Sequence, residues 1–167
     1  MTLFIGILIV VLGLVGWGCW RAARAYLKFR GKRIVTCPET EEPAAVELAK
    51  WRIAMVAALA EPSLLLRDCS RWREREPCDQ ACLPQIEASP EACLVHSILS
   101  KWYEGKACAC CGEPIGQINR WRHEACAISP DLRISEWKDI PVEKIPLVLG
   151  SHSPVCWRCL VAETHTS

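Results

Sequence analysis

The 167-residue chain is short of the aromatic residues that usually fill a core, with two Phe and two Tyr against eight Trp. It has no charged side chain in residues 1–20. It contains no G-x-x-x-x-G-K-[ST] phosphate loop, no G-x-G-x-x-G, no H-E-x-x-H and no G-x-S-x-G. A c-type haem requires C-x-x-C-H, and Gly112 and Leu160 stand where that histidine belongs. There is no internal repeat and no sustained heptad, and 51% of positions are hydrophobic. Collagen-like, coiled-coil and disordered classes are therefore excluded. The length suits one domain or two small ones, and not a large enzyme with separate cofactor and substrate domains. No catalytic motif and no small-molecule substrate is evident, so the reading is that of a non-enzymatic protein.

What is present divides sharply along the chain. Leu3 to Trp20 is an uncharged run rich in Leu, Ile, Val and Gly. As a helix it would span about 27 Å, close to the hydrocarbon thickness of a bilayer. Trp17 and Trp20 fall where an interfacial aromatic belt lies. A cleaved signal peptide is the competing reading. It calls for a basic n-region, a shorter apolar stretch and a small-residue cleavage site. Met1 and Thr2 bring no charged side chain, and the run leads straight into Trp20 and Arg21, so residues 1–20 are read as an uncleaved transmembrane helix. Residues 21–33 carry six basic side chains (Arg21, Arg24, Lys28, Arg30, Lys32, Arg33) and no acidic one. Under the positive-inside rule this places the N-terminus outside and the rest in the cytoplasm, against an inner (cytoplasmic) membrane. The basic segment is then a topology signal that also meets anionic headgroups. Arg21 to Arg30 lacks Pro and Gly and continues the helix, with Gly31 as its stop. Residues 34–167 hold 14 Lys/Arg and all 19 Asp/Glu, a net charge of −5, which argues against nucleic acid as a partner.

Cysteine is abundant, 12 residues in all. In a reducing cytoplasm that density signals metal or redox chemistry rather than disulfides. The strongest pattern is Cys108-Ala-Cys-Cys111-Gly followed, with 44 residues between Cys111 and Cys156, by Cys156-Trp-Arg-Cys159. Two C-x-x-C pairs supply the four thiolates of a structural zinc site, and Gly112 permits the tight knuckle turn. Ala127 to Trp137 reads as a hairpin, Leu147 to Leu149 as a strand or helical turn, and Leu160 to Glu163 as helix. Knuckle, hairpin, then a C-x-x-C opening a helix resembles a treble-clef zinc finger over residues 106–165. That resemblance implies a zinc-stabilised fold and no specific activity. Cys110 and Cys126 are read as non-ligands, and His123 and His152 as ordinary histidines, although any of the four could substitute for a cysteine in the set.

The preceding segment, residues 34–105, is read as an α+β subdomain. Arg33 to Thr36 and Ala44 to Leu48 look like paired strands, Trp51 to Ala60 like a helix, and Leu64 to Leu66 like a short strand delivering Cys69. Cys78 and Cys82, four residues apart, would share one helix face. A helix from Pro90 to about Tyr103 would place Cys93, Leu94, Ile98 and Trp102 at core spacing. Cys37, Cys69, Cys78 and Cys82 then form a tentative second metal site for zinc, with an Fe–S cluster as the alternative; no ferredoxin-type spacing is present.

Taken together, the C-P-E-T start, the C-S-R-W and C-D-Q-A-C stretches and the terminal C-x-x-C of residues 34–160 resemble uncharacterised bacterial membrane-anchored cysteine-rich proteins. The resemblance implies no activity. The expected architecture is α+β: a transmembrane helix, a basic juxtamembrane segment, a small metal-stapled subdomain and a treble-clef-like zinc subdomain over 106–167. The expected role is a membrane-tethered accessory or assembly module. Its partners would be the lipid bilayer and a cytoplasmic protein. A thiol-redox or electron-transfer protein and a metal carrier are the rival readings.

Overall fold

The computed structural model describes residues 2–72, 74, 78–116 and 125–166. Helix α1 runs from Thr2 to Phe29, and its stretch from Leu3 onward is long and apolar enough to cross a membrane. Gly31 ends it in the left-handed region at φ 97°. A Cβ there would also stand 2.9 Å from the Leu94 side chain, which would have to shift, so the conformation is the stricter demand for glycine.

The stop is reinforced by Arg33, which is fully buried. Its guanidinium turns back and donates to the carbonyls of Lys28 (2.8 Å), Phe29 (3.0 Å) and Gly31 (3.1 Å), and to that of Pro90 (3.3 Å). A cation on the last carbonyls of a helix satisfies orphan acceptors and meets the negative end of the helix dipole. This corrects the reading of Arg33 as part of a lipid-facing basic patch. Its charge is spent inside the protein, joining α1 to the folded domain.

Three antiparallel strands follow in the order β1-β2-β3: β1 (Lys32–Thr36), β2 (Pro43–Leu48) and β3 (Leu66–Cys69). Arg33 and Val35 of β1 face inward beside Val46 and Ala44 of β2, the period-2 alternation of a half-buried sheet. Helix α2 (Lys50–Leu59) joins β2 to β3 and packs on α1. Ala58 lies against Gly18, the Tyr26 and Trp51 rings meet at 4.7 Å, and Arg21 donates to the Ala60 carbonyl at 3.1 Å. The core of this part gathers Phe29, Val35, Val46, Leu48, Ile53 and Ile86.

Two expectations are corrected here. Cys78 and Cys82 do not share a helix. Gln80 between them is left-handed at φ 60°, its side-chain carbonyl accepts from the Leu66 amide at 3.0 Å, and α3 starts only at Leu83 (Leu83–Ala88). A long-range hydrogen bond to β3 has overridden local helix spacing. Similarly, α4 is Val95–Tyr103 rather than a helix from Pro90. Leu94 is extended and bridges Arg33, and the Ile34 amide donates to the Cys93 carbonyl at 2.8 Å. The chain before α4 is thus held to the edge of the first sheet. Strand β3 also begins two residues later than the apolar run at Leu64 suggests.

The C-terminal part is built on a second antiparallel sheet, order β5-β4-β6: β4 (Ala125–Ile128), β5 (Ile134–Glu136) and β6 (Ser153–Cys156). β4 and β5 form the expected hairpin. Leu147 to Leu149 takes its helical alternative within α5 (Ile145–Ser151), and α6 (Trp157–Thr166) closes the chain. Tyr103 at the end of α4 is buried. Its hydroxyl donates to the Cys126 carbonyl at 2.5 Å and accepts from Trp137 Nε1 at 2.8 Å. Together with Trp102, whose indole donates to the Leu149 carbonyl at 3.0 Å, it ties α4 to the second sheet.

Candidate metal centre

Cys108 opens a knuckle that is closed by its own backbone. Its amide donates to the Glu113 carbonyl at 2.8 Å, and the Gly112 amide returns to its carbonyl at 2.9 Å. Gly112 sits at φ 74°, which a side chain would resist. Ala107 and Pro114 bridge across the base of the turn. Opposite the knuckle, Cys156 ends β6, and Cys159 lies in the first turn of α6, where the positive end of the helix dipole favours a thiolate. β6 is held by its pairing with β4, and the knuckle is registered on β6 by the Ala109 amide donating to the Pro154 carbonyl at 2.8 Å.

As a result the sulfurs of Cys108, Cys111, Cys156 and Cys159 all lie within 4.8 Å of one another. Cys108 and Cys159 are 3.8 Å apart, as are Cys111 and Cys156. A tetrahedron of metal–sulfur bonds of about 2.3 Å has an edge of about 3.8 Å. The quartet therefore has the dimensions of a four-thiolate site and could hold one metal ion. Sulfur ligands in tetrahedral array suit zinc or iron.

The electrostatics favour ionisation at one sulfur first. Burial opposes a charge on Cys108, but the amides of Cys156, Cys111 and Cys110 outweigh it and bring the thiol down to about 6. The Cys156 amide to Cys108 Sγ contact is 3.3 Å. Cys159 is pushed up, chiefly by the neighbouring Cys156 sulfur. One thiolate among hydrogen-bonded thiols is the arrangement expected of crowded sulfurs without a cation to share. A divalent ion removes the mutual repulsion and lets the rest ionise.

The other expected residues are placed as follows. Cys126 is fully buried beneath the site, raised to about 12 by burial, and is not among the quartet. Cys110 is exposed on the knuckle. His152 meets Ser151 Oγ through Nδ1 at 2.8 Å, and His123 lies outside the described residues. In the first part of the chain Cys37, Cys69, Cys78 and Cys82 line one cavity, but their sulfurs are not gathered to the same degree. The supporting roles of Arg33 and Tyr103 went unread in the sequence: no spacing pattern marks a guanidinium turned back onto the carbonyls just before it, and the partners of Tyr103 lie far along the chain.

Comparison with known proteins returns no match among protein-family models, curated proteins or solved structures.

Proposed function

We propose that this protein is a membrane-tethered zinc-binding module, a non-catalytic accessory or assembly subunit that docks a cytoplasmic protein at the bilayer. The observation that carries the reading is the four-sulfur quartet at tetrahedral spacing. Four thiolates fill a tetrahedral shell and leave no position for substrate, which is the form of a structural rather than a catalytic zinc site.

Tethering is supported by α1 and by the helix packed against it. Trp51, Met55 and Leu59 succeed one another along one face of α2 and are 66%, 73% and 91% exposed. That face flanks α1 at the level of Gly18 to Tyr26, where the aromatic belt gives way to the basic residues. Arg24 stacks over Trp20 at 5.5 Å, an arrangement suited to headgroup depth. The basic flank then orients the chain with its N-terminus outside and its metal centre in the cytoplasm.

The test has two arms. A cytoplasm-dependent reporter fused after Ser167 should be active, and the full chain purified in detergent should carry zinc. A periplasm-only reporter signal would overturn the orientation, and a metal-free chain would overturn the module. Exposure of Cys111 gives the metal-carrier reading one observation in its favour. Release of the ion to a chelator within seconds would select the carrier, and retention over hours the structural site.

A further inference from the structure

Away from the metal centre, Cys37, Cys69, Cys78 and Cys82 come from three separate stretches of chain to line one small cavity, together with Val35, Ala44, Leu66 and Trp72. Its volume is about 20 Å³. That is room for about one water or one bare ion. Most of the exposed wall is apolar, although Glu39, Arg71 and Asp79 also line it.

Donors aim at the sulfurs. The Gln80 amide approaches Cys78 Sγ at 3.4 Å. The Thr40 hydroxyl and the Thr40 and Glu39 amides face the Cys37 sulfur, and the Arg71 amide points at that of Cys69. These are the amide-to-sulfur contacts that also support Cys108 in the C-terminal quartet. The Thr40 hydroxyl is buried and completes no hydrogen bond of good geometry, so it is a donor facing a sulfur that has not yet become a strong acceptor.

The backbone is also bent to bring these residues together. Three non-glycine residues among those described have positive φ: Glu41, Gln80 and Leu132. Glu41 lies in the turn that follows Cys37, closed by the Glu41 amide on the Cys37 carbonyl (2.8 Å) and the Cys37 amide on the Glu42 carbonyl (2.9 Å). Gln80 separates Cys78 from Cys82. Strain of this kind persists where the surroundings over-determine it, typically around a bound ligand. Arg71, next to the Cys69 turn, pairs with Glu42 and with Glu74 and so straps the Cys69 loop to the Cys37 loop.

We propose that Cys37, Cys69, Cys78 and Cys82 form a second metal site, which takes a single Zn²⁺-class ion through four thiolates. The sulfurs close around the ion from the cavity walls, and each thiol that ligates releases its proton to solvent. Thr40 then donates to the Cys37 thiolate. The site staples the β1–β2 turn, the end of β3 and the start of α3, none of which carries a side-chain cap or a long strand of its own.

The experiment is metal stoichiometry on the reduced full-length chain in detergent, using Zn²⁺ as the probe. The chain should bind two equivalents. Cys37→Ser should bind one, and Cys108→Ser should lose the other. Thr40→Val, which removes a donor to Cys37 but none of the sulfurs, should retain two equivalents but release one of them to a chelator several-fold faster. Should Cys37→Ser not fold, the same question is put to the unmodified chain by alkylation. Cys37, Cys69, Cys78 and Cys82 should be protected by Zn²⁺ and become reactive when it is chelated. A chain that binds one equivalent, lost in Cys108→Ser, overturns this site and leaves the C-terminal centre standing. So does equal alkylation of the four thiols with and without Zn²⁺, or a disulfide between any two of them. A single equivalent lost only in Cys37→Ser would support this site and overturn the C-terminal one.

Discussion

The two four-cysteine groups differ in how the chain assembles them. In the C-terminal quartet each pair of sulfurs comes from one short motif, so a knuckle and a helix start fix two distances locally, and the Ala109 amide on the Pro154 carbonyl and the Cys156 amide on Cys108 Sγ join the two motifs. In the N-terminal group only Cys78 and Cys82 are near one another in sequence, and a left-handed residue separates them. Cys37 and Cys69 follow or end the two outer strands of a three-stranded sheet, on opposite sides of β2. The first quartet reaches tetrahedral spacing from the polypeptide alone, whereas the second stops at a cavity. Local motifs pre-form a site, while long-range ones leave the last movement to the ligand.

The largest expected effect separates the two parts. Cys108→Ser should release the C-terminal ion and unfold β4, β6 and α6 while the first sheet persists, read as metal content and site-resolved hydrogen exchange. A structural zinc ion contributes on the order of 10 kcal/mol of apparent folding free energy. Protection lost equally in both sheets would show that the parts fold as one unit.

Arg33 comes next. Arg33→Met leaves the carbonyls of Lys28, Phe29, Gly31 and Pro90 without their shared donor. The cost should be about 3 kcal/mol, as expected for losing buried bonds to a charged group, measured by chemical denaturation. The first sheet should destabilise and the metal content should stay unchanged. Tyr103→Phe should cost about 2 kcal/mol by stranding the Cys126 carbonyl and the Trp137 indole, and it should affect the C-terminal sheet more than the first. Gly31→Ala should cost about 1–2 kcal/mol for a side chain held at positive φ, with further loss from the Leu94 contact, visible as a lowered midpoint for the first sheet.

What the sequence disclosed follows the same local-versus-distant division. The long apolar helix, its stop near Gly31, the first strand pair, α2 and the C-terminal quartet are written in runs, periods and spacings of a few residues. The Cys78–Cys82 helix was misread because the Leu66 amide claims the Gln80 side chain. The early start assigned to α4 failed because Leu94 pairs with Arg33 across some 60 residues. Strand β6 is four residues long and contains Pro154, which an edge strand tolerates, so no alternation marked it in advance. Arg33 reads from the sequence as one more basic residue near a membrane. Only folding shows that it caps the helix.

Acidification gives a smaller and reversible test of the metal chemistry. Protons compete with the ion for sulfur, so retention must fall as pH falls. Metal should stay bound at neutral pH and be released progressively on acidification, as each sulfur takes up a proton. Release that is independent of pH would contradict thiolate ligation.

The central claim is that Cys108, Cys111, Cys156 and Cys159 share one metal ion. X-ray absorption at the metal edge of the full-length protein tests it most directly, recorded on the Cys37→Ser chain so that one site is observed. The expected result is four sulfur neighbours at about 2.3 Å with no nitrogen or oxygen in the shell. A shell containing nitrogen or oxygen, or an edge signal that survives Cys108→Ser in that same background, would contradict it.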